Sequence, residues 1–272
     1  MTNRLVDVDA LAARVPNGAK LAVFKEPCVP MDLIRALIRR QVRDLHLVTI
    51  PAGNFQAELL IAGGCVATIE TSGVSLGEFG PAPAFTEAVK SGALKILDAT
   101  CPAIYAQMQA GEKGQPFTTL RGLIGSDVLK YRDDFTVIDN PFPPHDPVAV
   151  LPPIKPDVGV IHAPLADRNG NVWIGRQPEL KTLAHASATC LVTVEEIVDF
   201  DLMADERYSA AVVPEFYISG LAHAPRGAWP IATPGYHERD DDHLAAYSSL
   251  AATPEGRADY LNAHVFGREA AE

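Results

Sequence analysis

Apolar residues recur through the first hundred positions in two alternating rhythms. Val8, Leu11, Ala12 and Val15 fall at helical spacing and stop at Pro16-Asn17-Gly18. Residues 21–24 form a short apolar run, the mark of a buried strand. Pro30 then opens a helix at a position where its missing N–H costs nothing. Leu33, Ile34, Leu37 and Ile38 give this helix an apolar face, and Arg35, Arg39 and Arg40 are expected outside. With the next strand at 45–50 the segment reads as a βαβ unit, because parallel strands demand a crossover. The rhythm continues with a helix at 56–62 stopped by Gly63-Gly64, a strand at 65–70 and a Gly/Ser/Pro loop over 71–83. A helix at 84–90 ending at Gly92, a strand at 94–97 and a helix at 104–110 follow.

Seven prolines between 141 and 156 disfavour helix and interior strand, so this stretch is expected to be an extended surface connection. Beyond it, Val158, Val160 and Ile161 form an apolar run bounded by Pro156 and Pro164, predicting a buried strand with His162 at its end. Asp167-Arg-Asn-Gly-Asn171 is a turn, 172–174 a returning strand, 179–188 a helix and 190–194 another buried strand. Past Pro225 the chain is polar and Gly/Pro-rich, then helical over 243–265. Together these elements predict an α/β fold with an open, mainly parallel sheet flanked by helices, in a single domain over residues 1–272.

Composition narrows the function. With 47% hydrophobic and 21% charged residues the chain is that of an ordinary globular protein. A net charge of −11 with no basic run argues against nucleic acid as a partner. Cys28, Cys65, Cys101 and Cys190 are widely spaced without a C-x-x-C pair, which fits reduced thiols and a cytoplasmic location. No stretch has the length of a membrane span, and residues 1–15 lack a signal-peptide core. There is no G-x-S-x-G elbow and no G-x-G-x-x-G fingerprint. His237, Glu238, Arg239, Asp240, Asp241, Asp242 and His243 carry metal-ligand chemistry, but consecutive carboxylates are the usual solvated start of a helix, so no metal is expected. His162 reads as a satisfied polar residue rather than a base.

Ligands of open α/β sheets bind at the carboxyl ends of strands, which singles out the loops at 25–29, 71–80 and 98–101. The order His162, Asp167-Arg-Asn-Gly-Asn171, Val192-Thr-Val-Glu-Glu-Ile-Val198 resembles the A (α) subunit of class I CoA-transferases, of the glutaconate and 3-oxoadipate type. Residues 44–48, 110–117 and 235–240 carry the same likeness. The resemblance implies a CoA-transferase-like fold and transfer of CoA between an acyl-CoA and a carboxylic acid. It implies no tightly bound cofactor, with the coenzyme A thioester as substrate, and a B (β) subunit that brings the glutamate nucleophile in an A2B2 assembly. On this resemblance Lys25, Glu26 and Ser72 are the candidate catalytic residues, and Cys28, Gly73, Val74, Ser75, Asp98 and Cys101 the substrate-binding ones. The first loop departs from the family, since Lys25-Glu26-Pro27-Cys28 stands where glycines usually lie and Pro27 removes an N–H donor. Its bland reading is a solvated Lys-Glu turn beside a packed Cys28. Ser72 is otherwise an ordinary loop residue, and Cys101, without a nearby histidine in sequence, a packed thiol. A lyase, decarboxylase or ring-opening hydrolase of the same fold, or a non-catalytic binding module, stands as the alternative.

Overall fold

Residues 4–267 are described by a computed structural model. Alternation along the strands divides the core. Leu21 and Val23 enter one apolar cluster and Ala22 and Phe24 the other; Leu45 and Leu47 oppose Val48 and Ile50 in the same way. This is the two-residue period of strands buried on both faces. The chain builds α1 (Val8–Ala12), β1 (Lys20–Phe24), α2 (Met31–Arg39), β2 (Leu45–Ile50), α3 (Phe55–Ala62), β3 (Val66–Thr71), α4 (Pro83–Ser91), β4 (Lys95–Asp98) and α5 (Cys101–Glu112). Then come β5 (Thr118–Leu120), α6 (Val128–Tyr131), β6 (Thr136–Asp139), β7 (Pro147–Leu151), β8 (Val158–Asp167), β9 (Val172–Trp173), α7 (Glu179–Ala186) and β10 (Thr189–Val198). The last elements are β11 (Val212–Val213), β12 (Gly220–His223), α8 (Asp241–Leu250) and α9 (Pro254–Leu261).

Parallel strands lie in the order β4-β3-β2-β1-β8-β10-β12, with β9 and β11 added antiparallel beside the far end of β8. The chain winds outward from β1 to β4, then returns to the other flank of β1 and winds out to β12. Right-handed crossovers put their helices on opposite faces when the direction of winding reverses. Residues of α2 and α3 accordingly fill one cluster, and those of α5 and α7 the other. The fold is the α/β, open and mainly parallel sheet flanked by helices that the periodicity predicts.

Several details differ from expectation. The proline-rich stretch is not merely a connection: β7 lies within it, at the centre of a three-stranded antiparallel sheet ordered β5-β7-β6. Pro147 occupies the first strand position, and Val148 to Leu151 supply an uninterrupted donor row before Pro152. β8 and β10 each run ten residues, so His162 sits mid-strand. Pro164 is tolerated because the β1 pairing has already ended at Val160. α5 begins at Cys101 rather than at 104. The C-terminal helix is two helices, because Thr253 caps a new start with Pro254 behind it. Arg35 is not outside: it is 1% exposed, lies 5.3 Å from the Trp229 ring centre and donates to the Trp229 carbonyl at 2.7 Å.

A buried charge fastens the small sheet to the large one. Arg132 reaches Glu70 Oε1 at 2.8 Å, Asp134 Oδ1 at 2.8 Å and the Asp98 carbonyl at 3.1 Å, and lies over the Phe135 ring at 4.0 Å. Burial alone would push the Glu70 carboxyl up, but the His46 ring, Lys20 and Arg132 outweigh it and hold it at about 2. Because the folded-state value is depressed, this stabilisation is present above the unfolded value of about 4.3 and is lost as pH falls through the window toward 2. Glu70→Gln should cost about 3 kcal/mol near neutral pH. Urea titrations should show the variant losing less stability than the wild type between pH 5 and pH 2.

Candidate active site

Reversal of winding between β1 and β8 opens a crevice at the carboxyl edge of the sheet. The loops that leave β1, β2, β3 and β4 stand there in a row, one strand spacing of about 4.8 Å apart. Lys25, Glu26 and Cys28 follow β1, Pro51 and Gly53 follow β2, Ser72 to Ser75 follow β3, and Asp98 and Cys101 join β4 to α5.

Two of the expected residues are in direct contact. Ser72 Oγ lies 3.2 Å from Cys101 Sγ and donates to the Pro51 carbonyl at 2.8 Å. Its proton is therefore engaged in that bond. Cys101 is exposed, at the first position of α5 behind the capping Thr100. The packed-thiol expectation fails for Cys101 because the helix start faces outward. It describes Cys28, Cys65 and Cys190, whose thiols burial pushes up to about 12. Gly73 (φ 145°) donates to Thr71 Oγ1 at 3.1 Å and accepts from Gly53 N at 2.9 Å. Val74 pairs with Gly53 across the two loops, and Ser75 is exposed. A Cβ on Gly53 would lie 3.0 Å from Val74 Cγ2 of the neighbouring loop and 2.7 Å from Ala57 Cβ of α3, so a side chain here would crowd both.

The β1 loop sits two strands away. Lys25 is exposed. Glu26 turns toward the C-terminal segment, with Oε2 3.6 Å from Arg239 Nη1. Partial burial raises its carboxyl above the ordinary range while Arg239 opposes the rise. Cys28 takes a left-handed backbone (φ 62°), donates its N–H to the Ala232 carbonyl at 3.0 Å and points its thiol inward near Gln177. The Asp98 side chain is exposed. The structure thus joins Ser72, Gly73 and Cys101, and sets Lys25 and Glu26 apart from them.

Two residues escaped sequence reasoning. Glu195 is buried on β10, with Oε1 3.0 Å from His162 Nε2 and 3.1 Å from His237 Nε2, while Oε2 accepts from Arg226 N at 2.6 Å. Burial would raise Glu195, but the His162 contact and the backbone donor hold it at about 2. His162 is completed by Thr193 Oγ1 at 2.9 Å, the satisfied polar role expected of it. A carboxylate inside an otherwise apolar strand was the available signal. Arg239 is the second, and only long-range contacts reveal it. Asp240 caps α8, its Oδ1 accepting from His243 N at 3.0 Å, which is what the acidic run at 240–242 does here. Among the described residues no group of three or more His, Cys, Asp or Glu side chains could hold a metal ion, and no helix is long and apolar enough to cross a membrane.

The family model for coenzyme A transferases matches residues 6–224. The chain belongs to the coenzyme A transferase family. It is 34% identical over 243 residues to the A (α) component of the 3-oxoadipate CoA-transferase of Pseudomonas knackmussii, covering 88% of this chain and 84% of that protein. The crystal structure of the decarboxylase AibA/AibB superposes with a TM-score of 0.83 at 30% identity, covering 95% of this chain and 98% of the other. Glutaconate coenzyme A-transferase from Acidaminococcus fermentans has the same fold, with a TM-score of 0.91 at 24% identity over 97% of this chain and 89% of that one. In this coenzyme A transferase family member the four edge loops stand at the carboxyl ends of the strands, where ligands of open α/β sheets bind. Cys101 is the exposed thiol of the edge. A short iodoacetamide pulse on the native chain should alkylate Cys101 alone, with the buried three labelling only in urea; peptide mass spectrometry reads the order.

Proposed function

We propose that the chain is the A (α) component of a hetero-oligomeric class I CoA-transferase, A2B2 and cytoplasmic, that moves CoA between an acyl-CoA and a carboxylic acid. The observation that carries this reading is the 34% identity, over 88% of the chain, to the corresponding component of a 3-oxoadipate CoA-transferase. In the reading the whole chain is one domain, and a glutamate of the B (β) subunit attacks the thioester carbonyl and expels the CoA thiolate. The thiolate then attacks the glutamyl carbonyl of the mixed anhydride, releasing the first substrate as its carboxylate and leaving a glutamyl-CoA thioester for the acceptor acid. A carboxylate nucleophile splits one acyl transfer into two easier steps. Glu26, the carboxylate of the β1 loop, is engaged by Arg239 rather than presented for attack, which supports a nucleophile from the partner. Lys25 offers an exposed cation to an anionic substrate in a chain of net charge −11. Ser72 supplies a hydroxyl for the substrate carboxylate or thioester oxygen, Gly73, Val74, Ser75, Asp98 and Cys101 line the approach, and Cys28 packs behind the β1 loop. The CoA thioester is substrate, and no tightly bound cofactor takes part.

One observation favours a second reading. AibA/AibB is a decarboxylase, and this chain covers 98% of the matched chain at 30% identity. Pro27 also removes an N–H from the loop nearest the crevice. In that reading an acyl-CoA loses CO2 and CoA stays on the product.

Incubating the assembled complex with acyl-CoA and then borohydride or hydroxylamine separates the two. The transferase reading expects inactivation and a mass change on a glutamate of the B chain. Modification of Glu26 would overturn the division of labour, and turnover with neither chain modified would favour decarboxylation. Lys25→Ala should lower kcat/KM by on the order of ten-fold, the scale of one lost charged contact. An unchanged value would make Lys25 a solvated turn residue.

A further inference from the structure

After β12 the chain runs back across the start of α2 and over the carboxyl edge, and buried contacts hold it there. Asp32 N donates to the Gly227 carbonyl at 2.9 Å, Cys28 N to the Ala232 carbonyl at 3.0 Å, and His237 Nε2 lies 3.1 Å from Glu195. From this anchored segment a single side chain reaches both loops that flank β2. Arg239 Nε pairs with Asp241 Oδ1 at 2.5 Å, fixing the guanidinium at its own end. Nη2 bonds Glu78, in the loop that begins with Ser72, and Nη1 lies 3.6 Å from Glu26 in the β1 loop. The guanidinium stands 5.3 Å from the Phe79 ring centre.

Charge decides what this cluster is for. Glu26, Glu78 and Asp241 surround one cation, so the cluster carries a net negative charge and repels an anionic substrate. Arg239 is therefore not a CoA or carboxylate receptor. The Ser72 loop carries Gly73, Gly77 and Gly80, all at positive φ. The Ser248 hydroxyl of α8 donates to its Phe79 carbonyl at 2.7 Å, which ties the loop to α8 and leaves its spacing from the β1 loop to another contact. A planar guanidinium can hold two carboxylates from different segments at fixed separation, which a lysine cannot do. We propose that Arg239 is a positioning residue of this site, bridging Glu26 and Glu78 so that the β1 loop and the Ser72 loop keep their spacing around bound substrate.

This inference rests on the transferase-family reading of the site, and its test is built to fail separately. In the assembled complex, Arg239→Met and Arg239→Lys would be compared with wild type for kcat, KM, thermal midpoint and amide hydrogen exchange over 72–80. Arg239→Met should lower kcat/KM by on the order of ten-fold or more and speed exchange over 72–80, with a small change in midpoint. Arg239→Lys should recover the midpoint but only part of the kcat/KM, since it keeps charge and loses the bridge. Loss of the Arg239 cation should also move any acid limb set by Glu26 to higher pH, which a purely structural role would not do. Unchanged exchange over 72–80 in Arg239→Met overturns the proposal whatever the activity. So does full recovery of kcat/KM by Arg239→Lys, or a kcat/KM loss that merely tracks the fall in midpoint. A wild-type complex that forms no B-chain adduct defeats the transferase reading instead, and exchange over 72–80 then decides on Arg239 alone.

Discussion

Parallel strands cannot be joined by short turns, and that requirement organises this chain. Each strand must be followed by a crossover, each crossover is right-handed, and so the helices change face where the strand order turns back on itself. β1 is the strand at which it turns, with β2 on one flank and β8 on the other. Adjacent loops diverge to opposite faces at that point and leave a crevice between them. The position of the site is a consequence of the winding, before any particular side chain is considered.

What the winding leaves loose is fastened by buried polar groups. Glu58, fully buried on α3, accepts from Ala84 N at 2.7 Å and Phe85 N at 3.0 Å and from the Tyr247 hydroxyl at 2.9 Å. It thereby caps α4, whose own N-cap side chain is an alanine, and ties α8 to the same point. Arg132 does this for the antiparallel sheet, and Arg35 and Glu195 for the segment after β12. Each of these groups would be costly alone in the core and is retained with a partner from a distant part of the chain.

The same distinction explains what could be read from sequence. Periodicity is a local signal, and it located β1 to β4, α2 to α4 and the Val158 and Cys190 strands. It went astray where long-range contacts override local chemistry. Arg35 looked like a solvent residue because its Trp229 partner lies nearly two hundred positions away. Proline density hid β7, since a strand start tolerates the Pro147 that a strand interior would reject. The three edge loops were legible from the rule that ligands gather at strand ends, and Ser72 and Cys101 do meet there. That Glu26 faces Arg239 was not legible, because no spacing in the sequence links position 26 to position 239.

The pairing of β1 with β8 also bears on how the protein comes into being. Lys20 N donates to Asp157 Oδ2 across 137 residues of chain, at the amino end of the β1–β8 seam, opposite the edge that carries the crevice. At ribosomal rates of about 5–20 residues per second, β1 waits on the order of ten seconds or more for its second neighbour. During that time its Leu21 and Val23 edge is half-paired, and the β1–β4 half can grow only on one side. The crevice therefore cannot form until β8 has been made, and a chain stopped short of residue 160 would contain most of the candidate loops without the seam that places them.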